Sequence, residues 1–162
     1  MIDKAREFAI RCHGEQQYGA FPYSVHLDQV AKYASQYGDT ATVVAYLHDV
    51  VEDTDTTLDE IEMEFGSLVS KCVGILTDEP GQNRQERKRK TYEKMSKVSG
   101  ELELALIVKA ADRLANIRAC TDHENNELLT MYESEHSIFR KAAYRSGLCE
   151  KLWQEMEALL DS

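Results

Sequence analysis

The run His48-Asp49-Val50-Val51-Glu52-Asp53 places four ionisable side chains directly after an apolar stretch. Neighbouring residues on a helix point about 100° apart, so His48 and Asp49 can both reach one ion beside the helix. An imidazole and a carboxylate supply half the ligands of a divalent metal site. We expect this run at the C-terminal end of a helix that continues to about Glu52. Acidic side chains there oppose the helix dipole, and a bound cation would offset that cost.

Two further residues qualify as ligands of the same ion. His26 opens an amphipathic helical segment one turn before Val30, which directs its ring inward. Asp112 lies in the most apolar segment, residues 102–120, where a carboxylate needs a partner. Each has a structural alternative, a hydrogen-bonded core histidine for His26 and an ion pair with an arginine for Asp112. Asn116, one turn after Asp112, shares its face and can hydrogen-bond a substrate or a water at the metal.

The elements that must position these residues are predicted to be helices. Apolar residues recur with the helical period over nearly the whole chain, and no segment shows convincing strand alternation. Thr57 and Glu60 have the spacing of a capping box at the start of a short helix, and residues 15–23 are expected to form a loop. The predicted fold is all-α, a single domain of about eight or nine helices that takes in residues 1–162.

Composition and charge exclude several classes of partner. The chain has 162 residues, and 19 basic against 29 acidic side chains give a formal net charge of -10. Nucleic acids and anionic membranes are bound through excess positive charge, so we expect neither as a partner. No apolar run is long enough to span a bilayer, and no secretory signal is visible. Four dispersed cysteines without a Cys-x-x-Cys pair predict reduced thiols and a cytoplasmic location.

One segment is basic, in contrast to the acidic chain as a whole. Residues 84–97 carry seven of the basic side chains and only two acidic ones, Glu86 and Glu93. Three interpretations are open, which are a solvated helix face, a nucleic-acid patch and a surface that captures the phosphate groups of a small ligand. Farther along, Tyr132 and Arg140 lie on a helix whose apolar face is expected in the core, with a place in the wall of the site as the alternative.

Three motifs together resemble those of the HD-domain phosphohydrolases. They are, in chain order, Pro22-Tyr23-x-x-His26, the pair His48-Asp49, and Ala111-Asp112-Arg113-Leu114-x-Asn116. The continuation to Ile61 and Phe65-Gly66 is similar to the branch that contains the guanosine tetraphosphate (ppGpp, alarmone) hydrolase domain of RelA/SpoT homologues and the small stand-alone alarmone hydrolases. The resemblance covers about residues 4–120. It implies an HD-type helical bundle that hydrolyses a small anionic nucleotide.

The resemblance also implies roles for individual residues. The implied ligands of one divalent ion, Mn²⁺ in that branch, are His26, His48, Asp49 and Asp112. Glu52 and Asp53 take the places of the acidic pair that orients or deprotonates the attacking water, and Asn116 matches a residue near the sugar and the metal. Phosphate capture is implied for at least one of Arg87, Lys88 and Arg89. Ligand chemistry alone does not single out Mn²⁺ from Fe²⁺ or Zn²⁺.

The sequence departs from this family pattern in one loop. His13 and Gln16 fit, but Tyr18 and Gly19 stand where alarmone hydrolases carry a basic pair, and Leu27 replaces a proline. Tyr18 can stack on a nucleobase but cannot pair with a phosphate.

We therefore favour release of pyrophosphate from the 3′ position of a guanosine polyphosphate by water activated at the metal. The alternatives are an HD phosphohydrolase for another nucleotide or phosphorylated metabolite, and a non-catalytic module that binds a nucleotide or a metal. The sequence is compatible with either a monomer or an oligomer.

Overall fold

The computed structural model describes residues 1–162, most of which lie in helices. The helices are α1 (Ile2–His13), α2 (Tyr23–Ala34), α3 (Asp39–Leu47), α4 (Val50–Asp53), α5 (Leu58–Phe65), α6 (Ser67–Leu76), α7 (Arg84–Ser96), α8 (Leu104–Asp122), α9 (Asn126–Ala143) and α10 (Glu150–Leu160). Apart from the single turn α4, nine helices of eight residues or more are present, which confirms the all-α prediction. None of them combines the length and apolar character that crossing a bilayer requires.

Helix α8 is the central element of the fold. It packs against α2, α3, α6, α9 and α10. It is buried nearly all round, because residues from Ala105 to Ala115 lie inside the protein without a break. A helix that is mostly apolar on every side is stable only with such cover. The buried apolar side chains form one cluster that extends from Ala5 in α1 to Met156 in α10.

The backbone breaks between α3 and α4, where the sequence predicted a continuous helix to about Glu52. Helix α3 ends at Leu47, and Asp49 has φ -106° and ψ 0°, a conformation that interrupts the helical hydrogen bonds. Glu52 and Asp53 consequently lie in α4, a single turn of four residues, and not in the last turn of a long helix. The expected opposition to the dipole of such a helix does not apply, because α3 already ends at Leu47, and both acids line the same cavity.

Residues 15–23, expected as a loop, contain a short hairpin. Strand β1 (Gln17–Tyr18) pairs antiparallel with β2 (Phe21–Pro22), and Tyr18 lies opposite Phe21. Gly19 begins the two-residue turn with φ +60°, which glycine adopts without strain. Helix α2 then begins at Tyr23, so His26 is its fourth residue and not its first.

Other local expectations are met. The Thr57 side chain accepts from the backbone N–H of Glu60, and the Glu60 carboxylate accepts from the backbone N–H of Thr57, which completes the predicted capping box of α5. All four cysteines are free thiols, and Cys72, Cys120 and Cys149 are buried.

Candidate metal centre and active site

Three helical segments bring four ligand-type side chains together. His26 comes from α2, His48 and Asp49 from the break after α3, and Asp112 from the middle of α8. One donor atom of each lies within 4.8 Å of those of the other three. His48 Nε2 lies 3.0 Å from Asp49 Oδ2 and 3.3 Å from Asp112 Oδ1, and His26 Nε2 lies 3.1 Å from Asp112 Oδ1. The structure thus groups the four residues that the sequence singled out.

The orientation of His48 suits a metal ligand. Its Nδ1 donates to the backbone carbonyl of Ala45 at 2.6 Å, which places the ring proton on that nitrogen. The opposite nitrogen, Nε2, is buried and has no hydrogen-bond partner, although it faces both carboxylates. A backbone carbonyl that fixes the tautomer while the other nitrogen stays free is the usual support of a ligating histidine.

The spacing of the donor atoms fits one divalent cation. In an octahedral shell with bonds of about 2.1 Å, neighbouring ligand atoms are about 3.0 Å apart and opposite ones about 4.2 Å. The four contacts among these side chains, from 3.0 Å to the 4.0 Å between His26 Nε2 and Asp49 Oδ2, lie between these two values, and all four donor atoms are within 4.8 Å of one another. Two imidazoles and two carboxylates are donors that divalent transition metals accept. The cluster can therefore hold one divalent metal ion.

The electrostatics of the cluster favour a cation. Burial acts against the charged form of His48, but Asp49 and Asp112 outweigh it and raise the pKa of His48. Burial also disfavours ionised Asp112, yet His48 and Lys109 hold its pKa well below the usual value. Tyr23 donates its hydroxyl hydrogen to Asp49 Oδ2, which keeps that carboxylate oriented. Two ionised carboxylates at this point create a negative potential that attracts a metal ion.

Glu52 lies on the wall of the same cavity as three of the candidate ligands, His26, Asp49 and Asp112, while His48 lies buried behind them. The backbone N–H of Asp78, which follows α6, donates to Glu52 Oε1 at 2.7 Å and fixes the side chain from outside the metal cluster. Burial raises the pKa of Glu52 above its usual range. A carboxylate of raised pKa binds a proton more readily, so Glu52 is suited to accept one from water.

Asp53 is anchored by a different part of the chain. The Gln16 side-chain amide bridges two residues. Its Nε2 donates to Asp53 Oδ2 at 3.0 Å, and its Oε1 lies 2.8 Å from His13 Nδ1. This relay connects the end of α1 and the segment before the hairpin to the acidic pair. Burial raises the pKa of Asp53, and the hydrogen bond from Gln16 acts in the opposite direction.

Asn116 and Tyr18 form the boundary of a second cavity beside the cluster. Tyr18 donates to Asn116 Oδ1 at 2.6 Å, and Asn116 Nδ2 donates to Asp112 Oδ1 at 3.2 Å. The Tyr18 ring stacks on the His26 ring with centroids 4.5 Å apart. The neighbouring cavity of about 380 Å³ continues along Phe21, Leu128 and Tyr132, and no lysine or arginine lines it.

The structure separates the basic residues of α7 into two groups. Lys88 lines the cavity that contains the metal cluster, whereas Arg89 lines a groove between α7 and α9, and Arg87 lines neither of them. Of the three candidates for phosphate capture, only Lys88 is placed beside the candidate ligands. Lys94 and Lys90 form ion pairs with Glu79 and Glu86, so much of the positive charge of this helix is neutralised locally.

The sequence did not predict that four polar or charged side chains would line this cavity. They are Tyr23, Arg84, Lys109 and Arg113. The alternative that Asp112 pairs with an arginine is not what the structure has, because its cationic neighbours are His26, His48 and Lys109. Lys109 could have been found from its position three residues before Asp112 in an otherwise apolar helix. Tyr132, for which a place in the wall was an open alternative, does line the cavity.

Comparison with protein families gives one matching family model, described as "HD domain", over residues 5–149. The chain is 41% identical over 122 residues to human guanosine-3′,5′-bis(diphosphate) 3′-pyrophosphohydrolase MESH1, which covers 71% of this chain and 66% of that protein. It is 31% identical over 150 residues to the Aquifex aeolicus protein named guanosine-3′,5′-bis(diphosphate) 3′-pyrophosphohydrolase. That match covers 91% of this chain, which spans about a fifth (22%) of the Aquifex protein.

Two solved structures are similar in fold. One, described as a metazoan orthologue of SpoT that hydrolyses ppGpp, superimposes with a TM-score of 0.82 at 26% identity and covers 99% of this chain and 93% of that one. The other, a Listeria monocytogenes protein, has a TM-score of 0.64 at 21% identity and supports the fold alone.

Proposed function

Because the chain belongs to the HD-domain family, we propose that it is a metal-dependent phosphohydrolase that releases pyrophosphate from the 3′ position of a guanosine polyphosphate. The observation that carries this proposal is the cluster of four ligand-type side chains, three of which line one cavity together with two further carboxylates, Glu52 and Asp53. The named activity of relatives such as human MESH1 supports the choice of substrate. One continuous core supports a single catalytic domain over residues 1–162.

In this proposal His26, His48, Asp49 and Asp112 hold the ion. A divalent cation, when bound, lowers the pKa of a water molecule and polarises a phosphoryl oxygen. We assign Mn²⁺ on the basis of the family resemblance, since the donor set alone also suits Fe²⁺ and Zn²⁺. The four free cysteines agree with a reducing compartment, and the cytoplasm is part of the proposal.

The chain's own residues perform the proton transfer. Glu52, anchored by the Asp78 amide, accepts a proton from the attacking water, and Asp53 orients that water while Gln16 holds it in place. The water oxygen bonds to the phosphorus attached to the 3′ oxygen, and the bond between that phosphorus and the 3′ oxygen breaks. The proton then passes to the 3′ oxygen. The family resemblance assigns Asn116, which lines the cavity, to the sugar.

A second candidate substrate class has its own observation. Tyr18 stands in place of the family's basic pair and closes against Asn116, and no lysine or arginine lines the adjoining cavity. A phosphate bound there would have neither a lysine nor an arginine as its partner. Hydrolysis of another nucleotide or phosphorylated metabolite is therefore the alternative.

Purified protein with Mn²⁺ tests both candidates when ppGpp is offered beside nucleoside mono-, di- and triphosphates. The proposal predicts metal-dependent release of pyrophosphate from ppGpp, and loss of that activity in His48→Ala. Turnover of a panel member but not of ppGpp would select the alternative. Ligand binding without turnover of any compound would point to a non-catalytic binding module.

A further inference from the structure

The side chains that line the cavity beside the metal cluster carry charges of both signs, and the cavity encloses about 200 Å³. The acidic ones are Asp49, Asp112, Glu52 and Asp53, and four cationic ones come from α7 and α8, namely Arg84, Lys88, Lys109 and Arg113. Lys109 pairs with Asp112 at 3.4 Å, whereas the metal cluster does not explain why three further cations line the same cavity.

Arg113 is the most informative of these cations. Its side chain is only 2% exposed, yet one terminal nitrogen, Nη1, has no hydrogen-bond partner. The other, Nη2, donates to the Tyr92 hydroxyl at 2.7 Å and lies 3.5 Å from Glu135 Oε1, and the guanidinium group lies 4.2 Å from the centre of the Phe139 ring. A buried, unsatisfied donor on a charged group is costly. An acceptor brought by a ligand into this cavity would remove that cost.

Two lysines complete this part of the wall. Lys109 is buried, and its single hydrogen bond is a long one of 3.4 Å to Asp112 Oδ2. Lys88 lies 2.9 Å from Asp78, the residue whose amide holds Glu52. Both ammonium groups keep donors that the protein does not use. Arg84 differs, because both of its bonding nitrogens already contact the Glu135 carboxylate.

We propose that Arg113, Lys109 and Lys88 form a subsite for the second phosphate of a diphosphate, the one farther from the sugar. This inference rests on the proposed function, which places the first phosphate at the metal. A diphosphate then reaches from the metal to these cations, and the pyrophosphate that leaves keeps its contacts with them. The subsite selects diphosphate esters over monophosphate esters, because a monophosphate at the metal leaves Arg113 without an acceptor.

Calorimetric titration tests the subsite without requiring turnover. Inorganic pyrophosphate and inorganic phosphate are titrated separately into protein that carries one equivalent of Mn²⁺. We expect the Arg113→Gln variant to lose about tenfold or more of its affinity for pyrophosphate, the loss typical of one hydrogen bond to a charged group. Its affinity for phosphate is expected to change less than about twofold. Lys88→Gln is expected to show the same selective loss.

Arg140→Gln is the matched control, because Arg140 also lies over an aromatic ring (Tyr144) and pairs with a glutamate (Glu157), but outside the cavity. It should bind both anions as the parent does. Since Arg113→Gln can fail to fold, Arg113→Lys, which keeps the charge, is measured with it, and we expect an intermediate loss for pyrophosphate alone. Unchanged pyrophosphate affinity in folded Arg113→Lys and Lys88→Gln, or equal losses for both anions, would overturn the proposal. If the variants selectively lose affinity for pyrophosphate but the parent protein does not turn over ppGpp, only the proposed function would be overturned.

Discussion

Glu52 and Asp53 are neighbours in sequence but depend on different parts of the protein. A backbone amide holds Glu52, and a side chain, Gln16, holds Asp53. The hydrogen bond to Glu52 comes from the backbone, so it remains after any substitution of Asp78 that keeps the N–H group. The hydrogen bond to Asp53 comes from a side chain, so one substitution of Gln16 removes it. This difference allows the roles of the two carboxylates to be separated by mutation.

Glu52→Gln should lower kcat by about 100-fold or more, the usual contribution of a general base, because the amide cannot accept a proton. The bound metal should be retained, since Glu52 is outside the ligand cluster. Steady-state kinetics and metal analysis of the purified variant measure both quantities. Glu62→Gln, at an exposed position on α5, is the control and should behave as the parent protein. A Glu52→Gln variant with unchanged kcat would exclude the residue as the base.

Gln16→Leu should shift the pH dependence of the reaction. The hydrogen bond from Gln16 lowers the pKa of Asp53, so its loss raises that pKa further above the ordinary value. The acidic limb of kcat against pH should therefore move to higher pH, with kcat near neutral pH reduced by about tenfold at most. Gln17→Leu, one position along in β1, provides the comparison. An acidic limb that does not move would show that Gln16 has no influence on the active carboxylate.

The four candidate ligands could be predicted from sequence because each breaks a local rule. Asp112 is a carboxylate in an apolar helix, and His48 and Asp49 interrupt an apolar run. Of the four cations of the cavity, Lys109 and Arg113 break the same rule as Asp112, because they lie in the same apolar helix, whereas Arg84 and Lys88 on the basic helix α7 break none. Lysine and arginine are common on helices, and whether Arg113 faces solvent or a cavity depends on how α7 and α9 pack around it. That packing is a tertiary property, which a single sequence does not display.

At the scale of elements, the break after α3 is the feature that sequence periodicity could not reveal. Residues 43–53 follow one helical pattern, yet the backbone leaves the helix at Asp49 and starts a new turn at Val50. Asp49 accepts a hydrogen bond from Tyr23 of α2, and Glu52 accepts one from the backbone N–H of Asp78, which follows α6. Because these donors belong to other parts of the chain, the local sequence does not encode the contacts. The capping box of α5, in contrast, is wholly local and was predictable from Thr57 and Glu60.

Thr57→Ala should destabilise the protein by about 1 kcal/mol, the typical cost of losing an N-cap side chain. Because α5 contributes no residue to the cavity, kcat should be unchanged. Chemical denaturation measures the free energy of unfolding. Thr130→Ala, a similar change at an exposed position inside α9, should not destabilise the protein, because alanine is the better helix former there. Equal effects of the two substitutions would contradict the assigned cap.

At the scale of the whole molecule, the net charge of -10 conceals local groups of both signs. Four carboxylates and four cationic side chains of α7 and α8 line the same cavity. A small polyphosphate responds to this local arrangement more than to the total charge. The acidic composition therefore argues against large anionic partners and is compatible with a nucleotide.

One ion-pair network joins α1, α2 and α3 and sets part of the pH dependence of stability. Asp28 accepts from Arg6 at 2.8 and 3.0 Å and from the Tyr46 hydroxyl at 2.8 Å. The hydrogen bond from Arg6 is the main reason why the pKa of Asp28 is lowered. A lowered pKa in the folded state stabilises the protein above the unfolded-state pKa, and this contribution disappears as the pH falls through the folded-state value.

Asp28→Asn should accordingly lower Tm by about 1 to 3 °C at pH 7, a modest effect because the pair is partly exposed. The difference from the parent should shrink as the pH falls below about 4. Thermal melts between pH 3 and pH 7 provide the measurement, with Asp161→Asn at the exposed end of α10 as control. A difference in Tm that grows toward low pH would contradict the sign of the pKa shift.

We propose that one divalent cation, held by His26, His48, Asp49 and Asp112, is required for phosphohydrolase activity of this chain. Stepwise addition of Mn²⁺ to metal-free protein, with the initial rate of pyrophosphate release from ppGpp as the readout, tests this requirement most directly. The rate is expected to rise to a plateau near one equivalent of Mn²⁺ per chain, with no such rise in His48→Ala. A rate that does not depend on added metal, or that rises equally in His48→Ala, would contradict it.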